Sequence, residues 1–264
     1  MRVLFNFTGR KPHLRSLFVL FESARSSAFW PISRCSRPND SFADFQKLLL
    51  DHFFFIVSSR VEISQNLYSL STPKFPLTIT KTLSYVGNSA HCLTSVLENP
   101  DVKEPYATCM TQTVLVDPKS RRPISYPEWW RDKYESSVTS NTPLHIPKLK
   151  RPANSICFPH AVYFGDTDSY RHTNWTAYVR FCYDACMDAV WREQYSKLKF
   201  SDSENGVKSF EIAFTKESSI GDQIDVHSWE EASPNDKPVC FEILKGNDVC
   251  CQAKMTFHNE PLPD

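Results

Sequence analysis

The chain of 264 residues carries 30 basic and 30 acidic side chains, so its formal net charge is zero. That balance disfavours a nucleic-acid-binding protein, for which a strong basic excess is typical, while 41 % hydrophobic residues indicate a globular core. The longest wholly apolar runs, residues 17–21 and 53–57, are too short for a helix to cross a bilayer, which needs about 20 residues.

The first 40 residues differ in composition from the rest of the chain. Residues 1–39 hold seven basic side chains and a single acid, Glu22, and they are rich in Ser and Arg. This composition is typical of a mitochondrial transit peptide, and an irregular N-terminal extension is the alternative. The sequence therefore predicts an extension over residues 1–40, a candidate targeting segment, on a cytoplasmic or mitochondrial protein.

Cysteines and histidines are scattered along the whole chain. None of the nine cysteines forms a C-x-x-C pair, which favours free thiols in a reducing compartment. The eight histidines show no H-E-x-x-H spacing, and no glycine-rich phosphate loop occurs. The sequence thus indicates no metal site and no cofactor.

Residues 41–138 show the pattern of one helix followed by strands. Ser41 and the apolar spacing after it predict a helix over residues 41–55, with Ser41 as its N-cap. Stretches rich in β-branched and aromatic residues predict strands over residues 77–86, 90–97 and 107–116. Residues 139–155 are polar and contain three prolines, so they are predicted to be a linker.

The same order of elements recurs over residues 156–264. A short strand over residues 158–164, a polar loop and a helix from Asn174 to about Lys197 come first. Further strands are predicted over residues 209–214, 223–229, 239–244 and 249–258. Residues 86–88 and 220–222 are similar turns, 134 positions apart. We therefore predict an α+β protein of two repeated units, each a helix laid on a curved antiparallel sheet.

The densest polar cluster precedes the second helix. Asp166, Asp168, His172 and Asn174 fall within nine residues of one another. A helix N-terminus is electropositive and can hold a developing oxyanion, and a carboxylate beside it can act as general base or nucleophile. The alternative is that these residues only shape a turn and cap the helix. Their spacing by itself leaves both interpretations open.

At this cluster the chain resembles the hotdog-fold thioesterases. The strand, the Gly-Asp-x-Asp loop and the long helix after it are similar to the 4-hydroxybenzoyl-CoA thioesterase type, which implies that Asp168 is the catalytic carboxylate. Residues 166–178 are also similar to the C-terminal unit of plant acyl-acyl-carrier-protein thioesterases. That resemblance implies His172 and Glu217 as further catalytic residues. The chain departs from the plant pattern at Tyr170, where those enzymes have Asn, and at Ser218, where they have Cys.

The resemblance implies a double hotdog whose second half, residues 156–264, hydrolyses an acyl thioester carried by coenzyme A or by acyl carrier protein. The implied substrate-binding residues are Asn174, Trp175, Tyr178 and Ser218. One alternative is a non-catalytic protein that binds or scaffolds acyl thioesters, and another is a hotdog dehydratase. Either a monomeric pseudo-dimer or a homo-oligomer is expected.

Overall fold

One antiparallel sheet runs through the described part of the chain, which in this computed structural model is residues 12–29, 41–233 and 236–261. Its nine strands are β1 Phe53–Ile63, β2 Thr78–Val86, β3 Ala90–Glu98, β4 Ala107–Val116, β5 Ile156–Ala161, β6 Val207–Phe214, β7 Gln223–Glu230, β8 Val239–Lys245 and β9 Asp248–Phe257. The α-helices are α1 Leu14–Phe29, α2 Phe45–Leu49, α3 Glu128–Tyr134, α4 Trp175–Trp191 and α5 Phe200–Ser203.

The strand order shows two equivalent halves. It is β2-β3-β4-β1-β6-β9-β8-β7-β5, so the order β2-β3-β4-β1 is mirrored by β7-β8-β9-β6. The halves meet where β1 pairs antiparallel with β6, from Ser58 opposite Ala213 to Glu62 opposite Ser209. The predicted α+β architecture of two repeated units on curved antiparallel sheet is confirmed.

The predicted alignment of the two repeats is wrong. Residues 86–88 lie in the turn between β2 and β3, whereas residues 220–222 precede β7, the counterpart of β2. The two turns therefore occupy different places in their halves. Glycine-containing turns resemble one another wherever a strand ends, so they do not set the register of a repeat.

The long helix of the first half is α1, which lies within the segment predicted to be an extension. Leu17 and Phe18 are fully or almost fully buried, and α1 packs against α4. The Phe18 ring makes edge contacts with Trp175 of α4 and with Phe210 of β6, at 5.4 and 5.7 Å between centroids. One face of α1 is thus part of the core, while residues 1–11 and 30–40 lie outside the described residues.

The helix predicted over residues 41–55 is wrong for most of its length. A short 3-10 turn and the five-residue α2 replace it, and β1 begins at Phe53. Ala43 and Asp44 have positive φ angles, which breaks the helix. The aromatic residues that follow pair with β4 instead, since bulky side chains pack well on a sheet and a short apolar run does not distinguish strand from helix. Ser41 is the N-cap of the 3-10 turn, as predicted, but its hydroxyl accepts a hydrogen bond from the backbone N–H of Gln46 and not from the N–H groups of the turn itself.

The remaining predicted elements are present with small shifts in their ends. The strands β2, β3, β4, β6, β7, β8 and β9 fall within two residues of their predicted bounds. Strand β5 begins and ends earlier than predicted, and α4 ends at Trp191, about six residues early.

The predicted linker crosses the outer face of the sheet, where the Leu149 backbone exchanges two hydrogen bonds with the Gln252 side chain. Among the described residues, no helix is long and apolar enough to cross a membrane.

A second, smaller core lies under α2 and α3 in the first half. His91 is fully buried there, stacks on Phe45 at 4.7 Å between ring centroids, and places Nδ1 2.5 Å from the Tyr126 hydroxyl. Burial, aided by the charge of Arg25, lowers the pKa of His91 to about 3. His91 is therefore neutral in the folded protein over the whole physiological pH range.

Replacing Phe18 by Ala is expected to lower the free energy of unfolding by about 3–5 kcal/mol, because a fully buried aromatic ring leaves a cavity. Urea unfolding measures the difference. Val19→Ala, at a neighbouring position that is 43 % exposed, is the matched control and should change stability by less than about 0.5 kcal/mol. Equal effects of the two variants would contradict the assignment of α1 to the core.

The neutral His91 is expected to make the fold sensitive to acid. The unfolded chain takes up a proton at this histidine below about pH 6.5, whereas the folded chain does so only near pH 3. The free energy of unfolding attributable to His91 should therefore fall by about 1.4 kcal/mol per pH unit between those values. Urea unfolding at several pH values should show a shallower slope for His91→Phe and an unchanged slope for the exposed control His145→Gln.

Candidate active site between the two halves

A cavity of about 450 Å³ opens where the two halves meet. The second half of α1, the start of β1, the loop before α4 with the first turn of that helix, and the residues after β6 line it. Its aromatic lining residues are Phe29, Phe53, Phe54, Phe55, Tyr170, Trp175, Tyr178 and Phe214. The cavity therefore combines an apolar wall from the first half with the polar loop of the second half.

Asp166, the first aspartate of the loop, is a structural anchor. It is 5 % exposed, and its carboxylate accepts hydrogen bonds from the Arg180 guanidinium at 2.5 Å and from the Tyr163 backbone N–H at 3.0 Å. Its own carbonyl accepts the backbone N–H of Asn174. These bonds hold the loop against α4, so the role of Asp166 is structural.

Asp168, the second aspartate, is exposed and lines the cavity. Its Oδ1 accepts the backbone N–H groups of Tyr170 at 2.8 Å and His172 at 3.2 Å, and its own N–H bonds the His172 carbonyl. Arg171 completes this tight turn with φ of 64°. The loop thus fixes the carboxylate through Oδ1 while keeping it in contact with the cavity.

His172 and Glu217 both line the cavity and face each other. Nδ1 of His172 lies 3.8 Å from Oε2 of Glu217, too far for a hydrogen bond but close enough for one to form after a small side-chain rotation. Glu217 also accepts a bond from Arg121 at 2.5 Å, and the Arg121 guanidinium lies over the Phe55 ring. Because Arg121 and Phe55 belong to the first half, this chain of contacts joins the halves at the cavity mouth.

Asn174 caps the N-terminus of α4 beside the cavity. Its side-chain oxygen accepts the Thr176 backbone N–H at 2.9 Å and the Thr176 hydroxyl at 2.8 Å. The 17-residue helix directs its electropositive end toward this place. Trp175, in the first turn, is buried and donates its indole N–H to Glu22 at 2.8 Å.

Ser218 does not line the cavity with the other predicted substrate-binding residues. It is completely buried, its hydroxyl lies 2.7 Å from that of Thr173 and 2.8 Å from that of Tyr178, and its N–H donates to the Tyr178 oxygen. Tyr178 itself lines the cavity. The structure therefore makes Ser218 a support that holds the loop and α4 together behind the site.

Glu22 and Arg25 line the same cavity and were missed by the sequence analysis. The Arg25 guanidinium donates to both oxygens of Glu22, at 2.7 and 2.8 Å, and both side chains are at most 20 % exposed. Burial alone would raise the pKa of Glu22, but Arg25 and the hydrogen bonds from Arg25 and Trp175 outweigh it, so the pKa is lowered. The one available signal was that Glu22 is the only acid in the first 39 residues, three positions before an arginine.

Among the solved structures that are similar to this one, the following three match almost the whole chain. A provisionally assigned oleoyl thioesterase from Lactobacillus plantarum has TM-score 0.74 and 14 % identity, covering 100 % of this chain and 95 % of its own. The 12:0-ACP thioesterase from Umbellularia californica has TM-score 0.70 and 12 % identity, covering 98 % and 94 %. An acyl-ACP thioesterase from Bacteroides thetaiotaomicron has TM-score 0.64 and 14 % identity, covering 96 % and 93 %.

These structural matches show the fold: the chain is an α+β double hotdog like that of the three thioesterase structures. No protein-family model and no curated protein matches the sequence. At such low sequence identity the roles of individual residues have to be argued from the chemistry of this cavity.

Replacing Glu22 by Gln is expected to lower the free energy of unfolding by about 1–3 kcal/mol at pH 7, because Arg25 loses its countercharge in a largely buried place. Since the pKa of Glu22 is lowered in the folded protein, this stabilisation is present above the ordinary value of 4.5 and is lost as the pH falls below it. Urea unfolding at pH 7 and pH 3.5 measures both effects, and Glu62→Gln on exposed β1 surface is the control. A constant difference at both pH values would contradict the ion pair.

Proposed function

We propose that the protein hydrolyses an acyl thioester, carried by coenzyme A or by acyl carrier protein, to the free acid and the thiol. The observation that carries the proposal is the meeting of Asp168, His172 and the N-terminus of α4 at one aromatic-lined cavity. The double-hotdog fold, shared with the structures of three thioesterases, supports the same reaction.

The acyl group would enter the cavity between the halves, where the aromatic side chains can cover an apolar chain. Its thioester carbonyl would lie at the start of α4, near Asn174 and Trp175. Backbone N–H groups at a helix N-terminus stabilise the negative charge that develops on the carbonyl oxygen. A single well-placed donor of this kind contributes about 3 kcal/mol to the transition state in other enzymes.

Asp168 is the proposed base. Its carboxylate removes a proton from a water molecule, the water oxygen attacks the carbonyl carbon, and a tetrahedral oxyanion forms. When the oxyanion collapses, the carbon–sulfur bond breaks and the proton passes to the leaving sulfur, which yields acid and thiol. Because the loop binds Asp168 through Oδ1, the second oxygen, Oδ2, is the one we assign to the water. Alternatively, Asp168 attacks the carbonyl carbon directly, the carbon–sulfur bond breaks to release the thiolate, and water then hydrolyses the transient anhydride to the free acid and the aspartate carboxylate.

His172 and Glu217 are assigned supporting roles in the same reaction. His172, held 3.8 Å from Glu217, can orient the water or donate a proton to the leaving thiolate. Glu217 in turn is oriented by Arg121 of the first half. Through this contact, the first half would help to position Glu217 and His172.

A non-catalytic acyl-thioester-binding protein is the second candidate. It is favoured by Tyr170 and Ser218, which depart from the residues of the plant enzymes, and by the burial of Ser218 behind the site. Such a protein would bind acyl thioesters in the same cavity without releasing thiol. The two candidates are separated by turnover rather than by binding.

Replacing Asp168 by Asn is expected to reduce kcat for thioester hydrolysis by about 10²–10⁴-fold, the range attributed to a general base. Asn retains an oxygen that can accept the two loop N–H groups, so the turn is preserved while the charge is lost. The measurement is free-acid release from a panel of acyl-CoAs and acyl-acyl-carrier-proteins. Asp132→Asn on the exposed surface of α3 is the matched control and should retain wild-type activity.

The outcomes separate the alternatives. A wild-type rate in Asp168→Asn would remove this carboxylate from the mechanism. A wild-type protein that binds acyl-CoA without turnover would establish the binding protein instead. Unchanged circular dichroism in both variants confirms that any loss of rate has a chemical origin.

A further inference from the structure

A second cluster of reactive side chains lies on the edge strand β5 and its neighbour β7. Cys157, Asp225 and His227 each offer one donor atom, and these three atoms lie within 4.8 Å of one another. Cys157 is directly opposite His227 in the strand pairing, and Asp225 precedes His227 by two residues. Because residues two apart on a strand share a face, all three side chains lie on the same side of the sheet.

None of these three residues lines the cavity between the halves. The cluster is therefore separate from the candidate active site, and its chemistry needs its own explanation. Cys157 lies far from Asp225 and His227 in the sequence, which is why the scattered cysteines and histidines indicated no metal site. Strand pairing alone brings them together.

The types of the three donor atoms indicate which metal ion the cluster would bind. A thiolate, an imidazole nitrogen and a carboxylate oxygen are the ligands that Zn²⁺ uses, whereas Ca²⁺ and Mg²⁺ prefer oxygen alone. Donors bound to tetrahedral zinc are about 3.5 Å apart, so the cluster must contract by about 1 Å. Cys157 is exposed, which leaves its side chain room to rotate, and a water molecule can complete the tetrahedron.

The surroundings of the cluster suit a metal ion. The Ser155 hydroxyl lies 3.2 Å from Nδ1 of His227, and this contact fixes the orientation of the ring. A hydrogen-bond partner that orients the ring is usual for metal-binding histidines. Arg151 lies close enough to act electrostatically on both Cys157 and His227. Its positive charge is balanced by an ion pair with Glu242 at 2.9 Å.

We propose that Cys157, Asp225 and His227 form a zinc site that fastens the edge strand β5 to β7. Strand β5 leads into the loop that carries Asp168, and Val162 continues its pairing by bonding Asp222 and Gly221 at 2.9 Å each. Zinc bound here stabilises the strand that delivers the loop. The site does not depend on the proposed hydrolysis.

The test uses the full chain, stripped of metal with a chelator and titrated with Zn²⁺ by calorimetry. We expect one equivalent of zinc per chain and a rise in melting temperature on binding. Co²⁺ in place of zinc should show the thiolate-to-cobalt charge-transfer absorption and the intense visible bands of tetrahedral cobalt. Cys157→Ser and His227→Gln should each weaken zinc binding by at least about tenfold and remove the rise in melting temperature.

The exposed linker residue His145 provides the control. His145→Gln should keep the zinc affinity and the cobalt spectrum of the wild type. Melting curves without metal show whether each variant folds. A wild type that binds no zinc, or zinc and cobalt binding that is unchanged in Cys157→Ser and His227→Gln, would overturn the site.

Discussion

The carboxylate of Glu22 accepts a hydrogen bond from the indole of Trp175, and next to this bond the Phe18 ring packs on Trp175 and Phe210. These contacts join α1, which belongs to the first half, to α4 and β6 of the second. A helix and a one-sided sheet each need a partner for their apolar face. The two halves meet this need together, since α1 and α4 pack against each other over one continuous sheet.

The cavity is a consequence of that joint packing. Strands β1 and β6 continue the sheet across the junction, so the start of β1 and the end of β6 come to face the loop before α4. The first half supplies an aromatic wall and Arg121, and the second half supplies Asp168, His172 and Glu217. Neither half encloses the cavity alone. Both repeats are therefore needed to form it, although only the second half carries the polar loop.

The two aspartates of the loop show how environment separates residues of one type. Asp166 is buried and its charge is balanced by Arg180, so this ion pair holds the loop to α4. Asp168 is bound only by N–H groups of its own turn and stays in contact with the cavity. The different surroundings thus hold Asp166 in the fold and leave Asp168 open to the cavity, which is what the proposed role of Asp168 requires. Behind the loop, the buried hydroxyl groups of Tyr178 and Ser218 contact each other and hold this arrangement in place.

The sequence by itself determined most strands of the sheet, the helix α4 and the polar loop before it, because alternation, turn residues and helical spacing are local properties. It also indicated two repeats and, through a resemblance, their fold. Only the tertiary structure decided that α1 is a core helix, that β1 begins at Phe53, and that Glu22 and Arg25 reach the cavity. The same holds for the burial of Ser218 and for the approach of Cys157 to His227. These facts depend on strand pairing and on packing between distant segments, and local residue patterns contain no information about either.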